Sequence, residues 1–595
     1  MNVADFIVDF IAKRGVDTVF MVTGGQAMFL NDACFRNKKI HSIFHHHEQA
    51  AGMAAEAYGR ITGSLGVAMV TAGPAGINVL NGVLGAYVDS SPMMIISGQS
   101  SSANVSYMKN TGIRQYGLQG VYTESVVQGV TKYFASIDDP ASIQYHVEKA
   151  YYLATHGRPG PVWIEIPLDL QRISIPEKLS KHFDPAEIAG TVVRPQTADI
   201  ERVSTLLSNA VRPLLVVGQG IRIAGAELLI EALLKKTKMP IVTTRLGIDL
   251  VPSNNPLFVG RPGLYGDRAA NFAVQSADFI LAIGARLDPG IVGYDARDWG
   301  RRAMKVIVDI DEKELAKPGL EPSVRIQSDA KVFLENLLES VKHTQVRSYT
   351  TWVKRCAFWK RAYPVCLPSY KKEKNVNSYY LSDVISKLAK PADTIVVDTS
   401  SPFHVVCQAW QVKKGQRFIT TGGISTMGYW PAGIGVAMAR RKGNTIVITG
   451  DGCLQMNLQE LATVKQNKLP LKIFVINNGG YLLIRHTQKT HMEGRLMGES
   501  PETGLWCPDS MKIAKAYGIK AIRIKTPQEA EKKVREVLAY KGPVICDVIS
   551  PKWQLIIPRV ASEKTPDGRM VSKPYEDLYP FLDRDEFERT TRIDL

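Results

Sequence analysis

The chain has 595 residues, 45% of them hydrophobic and 22% charged. That composition excludes disordered, collagen-like and coiled-coil classes and supplies core enough for three or four domains. Seven scattered cysteines, odd in number and never spaced CxxC, argue against a disulfide framework and a structural zinc site and fit a reducing cytoplasm. The net charge of +16 is spread along the chain, densest at Arg440-Arg441-Lys442 and Lys371-Lys372, with no basic stripe interleaved with aromatics. No nucleic-acid partner is expected; the charge reads as solvated surface with a pull on anionic substrates.

In chain order, Val3, Phe6, Ile7, Phe10 and Ile11 repeat at the spacing of an amphipathic helix, and no secretory leader is expected. Short apolar runs follow: 65–73, 93–99, 161–167, 213–220, 278–288, 305–311, 444–452 and 471–480. Uncharged, β-branched runs of this length predict parallel strands covered by helices on both faces. The two longest uncharged stretches, 61–88 and 418–439, carry Gly, Pro, Thr, Ser and Asn, so neither predicts a membrane span. The expected class is α/β, with three doubly wound parallel-sheet domains and a C-terminal arm.

Composition places the boundaries. Residues 172–200 are polar and proline-dotted, and a second junction lies near 340–375. The expected units are 1–175, 190–345 and 373–555, followed by an irregular arm, 556–595. A short echo, HGRPGPVWIEIPLDL at 156–170 and YKGPVICDVISPKW at 540–553, sets Gly-Pro-Val at a strand entry in both outer units. A duplicated α/β unit would leave such a trace.

The strongest chemical signal is TGDGCLQMNLQELATVKQNKLPLKIFVINNGGY, 449–481. One predicted strand delivers Gly450-Asp451-Gly452 and the next ends at Asn477-Asn478, at the carboxyl edge where open α/β sheets bind ligands. Asp451 and Asn478 offer hard oxygen ligands beside glycines that let backbone approach, which suits a magnesium ion on a diphosphate. The alternative is a turn Asp and strand-end Asn residues that only cap helices.

This spacing resembles the thiamine diphosphate signature, and the chain resembles the acetolactate synthase (acetohydroxyacid synthase) family of thiamine-dependent enzymes along nearly its full length. FHHHEQAAGMAAEAYGR (44–60), VTAGPAGIN (70–78), ISGQ (96–99), GRPGPVWIEIPLDLQ (157–171), GARLD (284–288), VDIDEKEL (308–315) and GGISTMGY (422–429) carry the resemblance. It implies a first domain for the cofactor's pyrimidine and a third for its diphosphate and magnesium. Glu48 matches the carboxyl that hydrogen-bonds the aminopyrimidine and drives cofactor activation. Met427 matches the apolar wedge that holds the cofactor bent. Thr399, Ser400, Ser401, Gly450, Gly452 and Cys453 match diphosphate contacts. Pro74, Asn78, Ser425, Tyr481, Leu482 and Ile484 complete the implied cofactor site, and Gly480 would give its carbonyl to the metal. Gln119 matches the active-site glutamine. Gly25 and Gln26 fall in the substrate-side loop, where the usual residue is small, so Gln26 points to a different acceptor. The run Tyr429-Trp430-Pro431 departs from the family pattern.

The middle segment VVGQGIRIAG lacks a clean GxGxxG spacing. The resemblance implies FAD here in one branch of the family, while related enzymes keep the fold without flavin. The matching positions are Gly218, Gln219, Gly220, Thr244, Arg245, Leu246, Gly284, Arg286, Asp288, Asp309, Ile310, Ser328 and Asp329. The implied reaction is decarboxylation of a 2-oxo acid, foremost pyruvate, and carboligation onto a second carbonyl by a homodimer or homotetramer with shared active sites. A simple decarboxylase or pyruvate oxidase of the same fold is the alternative. The segment 479–498 and the tail resemble acetolactate-synthase-like proteins of surface-sugar biosynthesis clusters. With Arg485, His486 and the basic surface, they point to a nucleotide-linked keto-sugar as a second candidate acceptor.

Overall fold

Three six-stranded sheets, every ladder in them parallel, form the framework. A computed structural model of the chain describes residues 1–176, 181–188, 193–342, 347–564, 567 and 570–592. The expected limits at 190 and 345 fall outside the described residues. The first sheet holds β1 (Thr18–Met21), β2 (His41–Phe44), β3 (Gly66–Val70), β4 (Met93–Gln99), β5 (Tyr133–Ser136) and β6 (Pro161–Pro167), ordered β2-β1-β3-β4-β6-β5. The second holds β7 (Pro213–Val217), β8 (Ile241–Thr243), β9 (Phe258–Gly260), β10 (Phe279–Ile283), β11 (Met304–Asp309) and β12 (Val324–Gln327), ordered β12-β11-β10-β7-β8-β9. The third holds β13 (Thr394–Val397), β14 (Arg417–Thr420), β15 (Thr445–Gly450), β16 (Leu471–Asn477), β17 (Lys520–Ile524) and β18 (Val544–Ile549), ordered β14-β13-β15-β16-β18-β17.

The outer sheets thus share one strand order, counted from the first strand of each. The two Gly-Pro-Val segments enter β6 and β18, which occupy the same place in their sheets. The middle sheet runs 3-2-1-4-5-6, the order of dinucleotide-binding sheets, whose switch point lies between β7 and β10. The central strands each carry two isoleucines and are buried throughout, because helices cover both faces.

The outer units share a core. The helix Glu48–Thr62 lies against the helix Ala432–Ala439, and small residues let the backbones close: a methyl group at Gly435 would overlap the Ala54 carbonyl. Phe20, Met53 and Ala54 from one unit join Trp430, Ile434 and Val447 from the other in one buried cluster.

Part of the expected second junction is helical. Residues Thr350–Ala362 form a helix whose Trp352 and Trp359 are buried in the middle core. The arm after β18 is also more regular than its composition suggests. Arg559–Val560 pairs antiparallel with Leu578–Tyr579, Ser562–Lys564 with Met570–Ser572, and Arg584–Thr591 is helical. It folds back onto the middle unit, where Arg268 donates to the carbonyls of Leu578 (3.1 Å) and Pro580 (2.7 Å). Among the described residues, no helix is long and apolar enough to cross a membrane.

Candidate functional site

The carboxyl edge of the third sheet gathers four loops. β15 ends at Gly450, and Asp451 opens the short helix Asp451–Gln455. Its buried carboxylate takes three backbone bonds: Oδ1 accepts from Gly452 N, and Oδ2 from Gly479 N and Gly480 N, each at 2.9 Å. Burial nevertheless pushes its pKa up to about 6. The side-chain Oδ1 of Asn478 is buried with no partner. A buried acceptor left unpaired costs about 1–3 kcal/mol, which a cation or a hydrogen-bond donor placed there would offset. Among the described residues, no three His, Cys, Asp or Glu side chains converge as a metal cluster. A cation here would draw on Asp451, Asn478 and a backbone oxygen, the role that the family resemblance gives to the Gly480 carbonyl. At Gly480 φ is +130°, and a methyl group there would overlap the Glu499 carbonyl. This oxygen donor set fits magnesium.

Around Asp451 lie the implied cofactor contacts. A methyl group on Gly452 would run into the Tyr481 ring and reach within 3.4 Å of Met427 Cε, so these three residues face one another. Cys453 and Leu482 are buried beside them, and Ile484 is exposed. Thr399 and Ser401 are buried, and Ser400 turns the chain at φ +68° into the helix Ser401–Ala409. Such helix starts present N–H groups without intrahelical partners, a cradle for phosphate oxygens.

Asp398 was not singled out by the sequence, yet it organises this edge. Its Oδ1 accepts from Thr399 N (2.8 Å), Gly428 N (3.1 Å) and Tyr429 N (3.0 Å), and its Oδ2 from Thr449 Oγ1 (2.9 Å). It ties the loops carrying Thr399, Met427 and Gly450 together. Burial raises its pKa to about 6. Its place at the end of an apolar strand was the available signal.

Glu48 begins its helix and accepts from Asn78 Nδ2 at 2.9 Å. Pro74 opens the helix that bears Asn78. The neighbouring Gln119 adopts φ +59°, and its carbonyl closes on Gly73, whose own φ is +66°. Gly25 is exposed, whereas Gln26 is buried, with its carbonyl held by Gln171 Nε2 at 2.7 Å. Ser425 is exposed at φ +49°. Within the chain, the Glu48 group meets the Asp451 group through neighbours: Gln49 donates to Asn457 Oδ1 (3.2 Å), and Asn457 to the Gly428 carbonyl (2.7 Å). No hydrogen bond links Glu48 to Asp451 or Met427. Of the three histidines, His45 bonds Glu460 at 2.8 Å between the outer units, and His47 caps the helix through Gln49 N.

The unusual Tyr429-Trp430-Pro431 run is built into the unit junction. The Tyr429 hydroxyl bonds Glu56, which also takes Ser91 Oγ (2.6 Å) and Arg60 Nε (2.8 Å). Arg60 reaches Asp89 at 3.3 Å; Asp89 also accepts from Gly422 N (3.0 Å) and from Arg286 Nη1 (3.3 Å). Charged residues inside an alanine-rich helix were the signal for this three-unit junction.

Arg485 requires a correction. The expectation that it meets an acceptor fails, because it is fully buried. It pairs with Glu499 and donates to the carbonyls of Asn478 (3.4 Å), Gly479 (3.2 Å) and Lys552. It braces the loop that carries Asn478.

A second cavity opens at the switch point of the middle sheet. Gln219, Gly220, Thr244, Arg245, Leu246, Gly284, Arg286, Asp288, Asp309, Ile310, Ser328 and Asp329 all line it. Gly218 does not, since it packs against the backbone of Gly284 and Ala285. Gln219 Oε1 is buried there without a partner. A switch-point cleft with close glycine crossings and strand-end carboxylates fits a dinucleotide such as FAD.

Residues 1–125 match the family model for the N-terminal TPP binding domain of thiamine pyrophosphate enzymes. Residues 200–337 match the central domain and residues 398–548 the C-terminal TPP binding domain. The chain is 31% identical to an acetolactate synthase large subunit of Cyanidium caldarium, over 94% of this chain and 95% of that one. It is 29% identical to a probable acetolactate synthase large subunit of Methanocaldococcus jannaschii, over 100% and 98% of the two chains. It is 30% identical to the chloroplastic acetolactate synthase 2 of Zea mays, over 94% and 87%.

Proposed function

The chain belongs to the thiamine pyrophosphate enzymes, as a member of acetolactate synthase type, and we propose that it decarboxylates pyruvate and joins the two-carbon unit to a second carbonyl. The observation that carries this reading is the unpartnered, buried Asn478 Oδ1 beside the Asp451 carboxylate. Magnesium bound there would neutralise diphosphate charge that the helix starts at Ser401 and Asp451 also receive. Thiamine diphosphate, when bound, supplies the electron sink for the carbanion that decarboxylation leaves.

The chain's own residues do the rest. Asn78 holds Glu48 in place by a bond to Oε2, leaving Oε1 for a pyrimidine nitrogen and its proton. Met427 and Tyr481 wall the cleft over Gly452. Asp398 and Arg485 keep the diphosphate and metal loops in register without touching the substrate. Gln119 and the Gly25-Gln26 loop lie on the Glu48 side, where they would receive substrate.

The same reading includes a homodimer or homotetramer in the cytoplasm. Phe44 (55% exposed) and Ile77 (47% exposed) flank Glu48 and Asn78, an apolar rim suited to a second protomer's diphosphate edge. It includes FAD in the middle cavity, and the unit limits 1–175, 190–345, 373–555 and 556–595. Flavin absorbance in the purified protein, lost in Gly284→Val, tests the FAD assignment. A pyruvate decarboxylase or oxidase of this fold would instead give acetaldehyde or a flavin reduced by pyruvate.

The test is an NMR assay with thiamine diphosphate, magnesium and pyruvate. Steady acetolactate formation makes pyruvate both donor and acceptor. Slow pyruvate loss with little acetolactate points to another ketone as acceptor.

A further inference from the structure

The segment 112–123, which carries Gln119, contains neither helix nor strand, and Leu118 within it is 75% exposed. A few ties hold it to the first sheet. Gly120 is buried, and a methyl group on it would overlap the Tyr116 carbonyl and crowd Ser100 Oγ. Gln99 Nε2, at the end of β4, donates to the Val121 carbonyl at 2.9 Å and to Thr123 Oγ1 at 3.2 Å. Gln119 lies beside these ties at φ +59°, a left-handed conformation that costs a non-glycine residue about 1–3 kcal/mol and lasts only while its surroundings impose it. Strained segments with few buried contacts are the ones that open first.

Glu165 of β6 lies under the same ties. Its buried carboxyl accepts from the Gln99 amide at 3.1 Å and from Ser136 Oγ at 3.0 Å, and the Thr123 hydroxyl bonds it as well. Gln99 Oε1 takes Ser100 N at 2.9 Å, which turns the amide nitrogen toward both the loop and Glu165. Among the described residues no Lys, Arg or His pairs with Glu165. The titratable groups facing it are Glu124, on the helix Glu124–Val127, and the Tyr122 phenol, which donates to Glu124 at 2.6 Å; β4 and β5 present Gln99 and Ser136. Burial pushes the Glu165 pKa up to about 7. Lifting Thr123 away admits water, which favours the ionised form. By linkage the closed loop favours the proton, and loss of the proton favours the open loop.

We propose that Glu165 is a positioning residue for the substrate side of the site: protonated, it keeps the segment 112–123 closed with Gln119 in place, and ionised, it releases the segment. The inference rests on the carboligation reading above and adds a control on substrate binding to it. The proton is exchanged with solvent and takes no part in the reaction.

The experiment compares wild type with Glu165→Gln, both loaded with thiamine diphosphate and magnesium. The variant carries a neutral side chain of the same size, so it should fold. Between pH about 6 and about 8.5 the wild-type KM for pyruvate should rise about tenfold with kcat little changed, while the variant keeps the low KM throughout. Asp398 and Asp451 are common to both proteins, so their titration cancels in the comparison. Chymotrypsin cleavage after Tyr116 and Leu118, read by mass spectrometry without substrate, should be about tenfold faster in the wild type at pH about 8.5 and equal in the two proteins at pH about 6. A wild-type KM that is flat over this range, or a variant KM that rises with it, overturns the inference. Cleavage equal in the two proteins at both pH values overturns it whatever the substrate is, and leaves Glu165 a structural residue. Cleavage that follows the expectation in a protein that consumes no pyruvate supports the control of the loop and overturns the carboligation reading.

Discussion

Gly480 donates its backbone N–H to Oδ2 of Asp451 at 2.9 Å, and with a matching bond from Gly479 this ties the loop after β16 to the end of β15. The geometry requires glycine at 480, where φ is +130° and the Glu499 carbonyl leaves no room for a side chain. Gly480→Ala adds backbone strain of about 1–3 kcal/mol and displaces the loop. Magnesium-dependent binding of thiamine diphosphate, followed by quenching of intrinsic fluorescence, should weaken about tenfold or more. Wild-type affinity in this variant would remove Gly480 from the site.

Asn478 offers a sharper separation of binding from stability. Its Oδ1 is buried and unpartnered, so Asn478→Leu relieves an unsatisfied acceptor at similar volume. Without cofactor the variant should unfold at the same or higher denaturant concentration than wild type, yet fail to bind thiamine diphosphate with magnesium. A destabilised variant that still binds would make Asn478 a structural residue.

The buried Arg485–Glu499 pair predicts the opposite pattern. Arg485→Met strands a carboxylate in the interior, and breaking such a pair costs about 3–5 kcal/mol. Chemical denaturation should show that loss. A variant of full stability whose only defect is a raised KM for the acceptor would restore Arg485 to the substrate.

Glu165 sets a pH dependence far from the metal loop. Burial pushes its pKa up to about 7, against bonds from Gln99 (3.1 Å) and Ser136 (3.0 Å). Its folded pKa lies above the unfolded carboxyl value, so the native state holds a proton that the unfolded chain releases. Stability is therefore full below the unfolded pKa and falls as pH rises through about 7, by about 3 kcal/mol. Glu165→Gln should be more stable than wild type at pH about 8 and lose that advantage at pH about 5. An advantage equal at both values would show that Glu165 is ionised in the fold.

Strand positions were legible where runs are apolar and buried on both faces: 93–99 and 161–167 coincide with β4 and β6 residue for residue. β2 carries no such mark, because it lies at a sheet edge with only Ile43 fully buried in His41–Phe44. The likeness of the outer units showed in the sequence as one tripeptide, since strand order, not residue identity, is what the outer sheets share. In the site, Asp451 and Asn478 were visible because their spacing reflects consecutive strand ends. Asp398 and the Glu56–Arg60–Asp89 network were not, since their partners lie far along the chain. Arg485 was misread for the same reason: a motif shows a guanidinium but not whether a buried carboxylate already occupies it.

We propose that Glu48, held by Asn78, activates a bound thiamine diphosphate. The most direct measurement is pyruvate consumption by NMR for wild type and Glu48→Gln, each shown to be folded and to bind thiamine diphosphate with magnesium. Consumption by the wild type should require both cofactors, and the rate should be at least about 100-fold lower in the variant, the scale of a lost proton-transfer group. A Glu48→Gln protein that consumes pyruvate at the wild-type rate would contradict it.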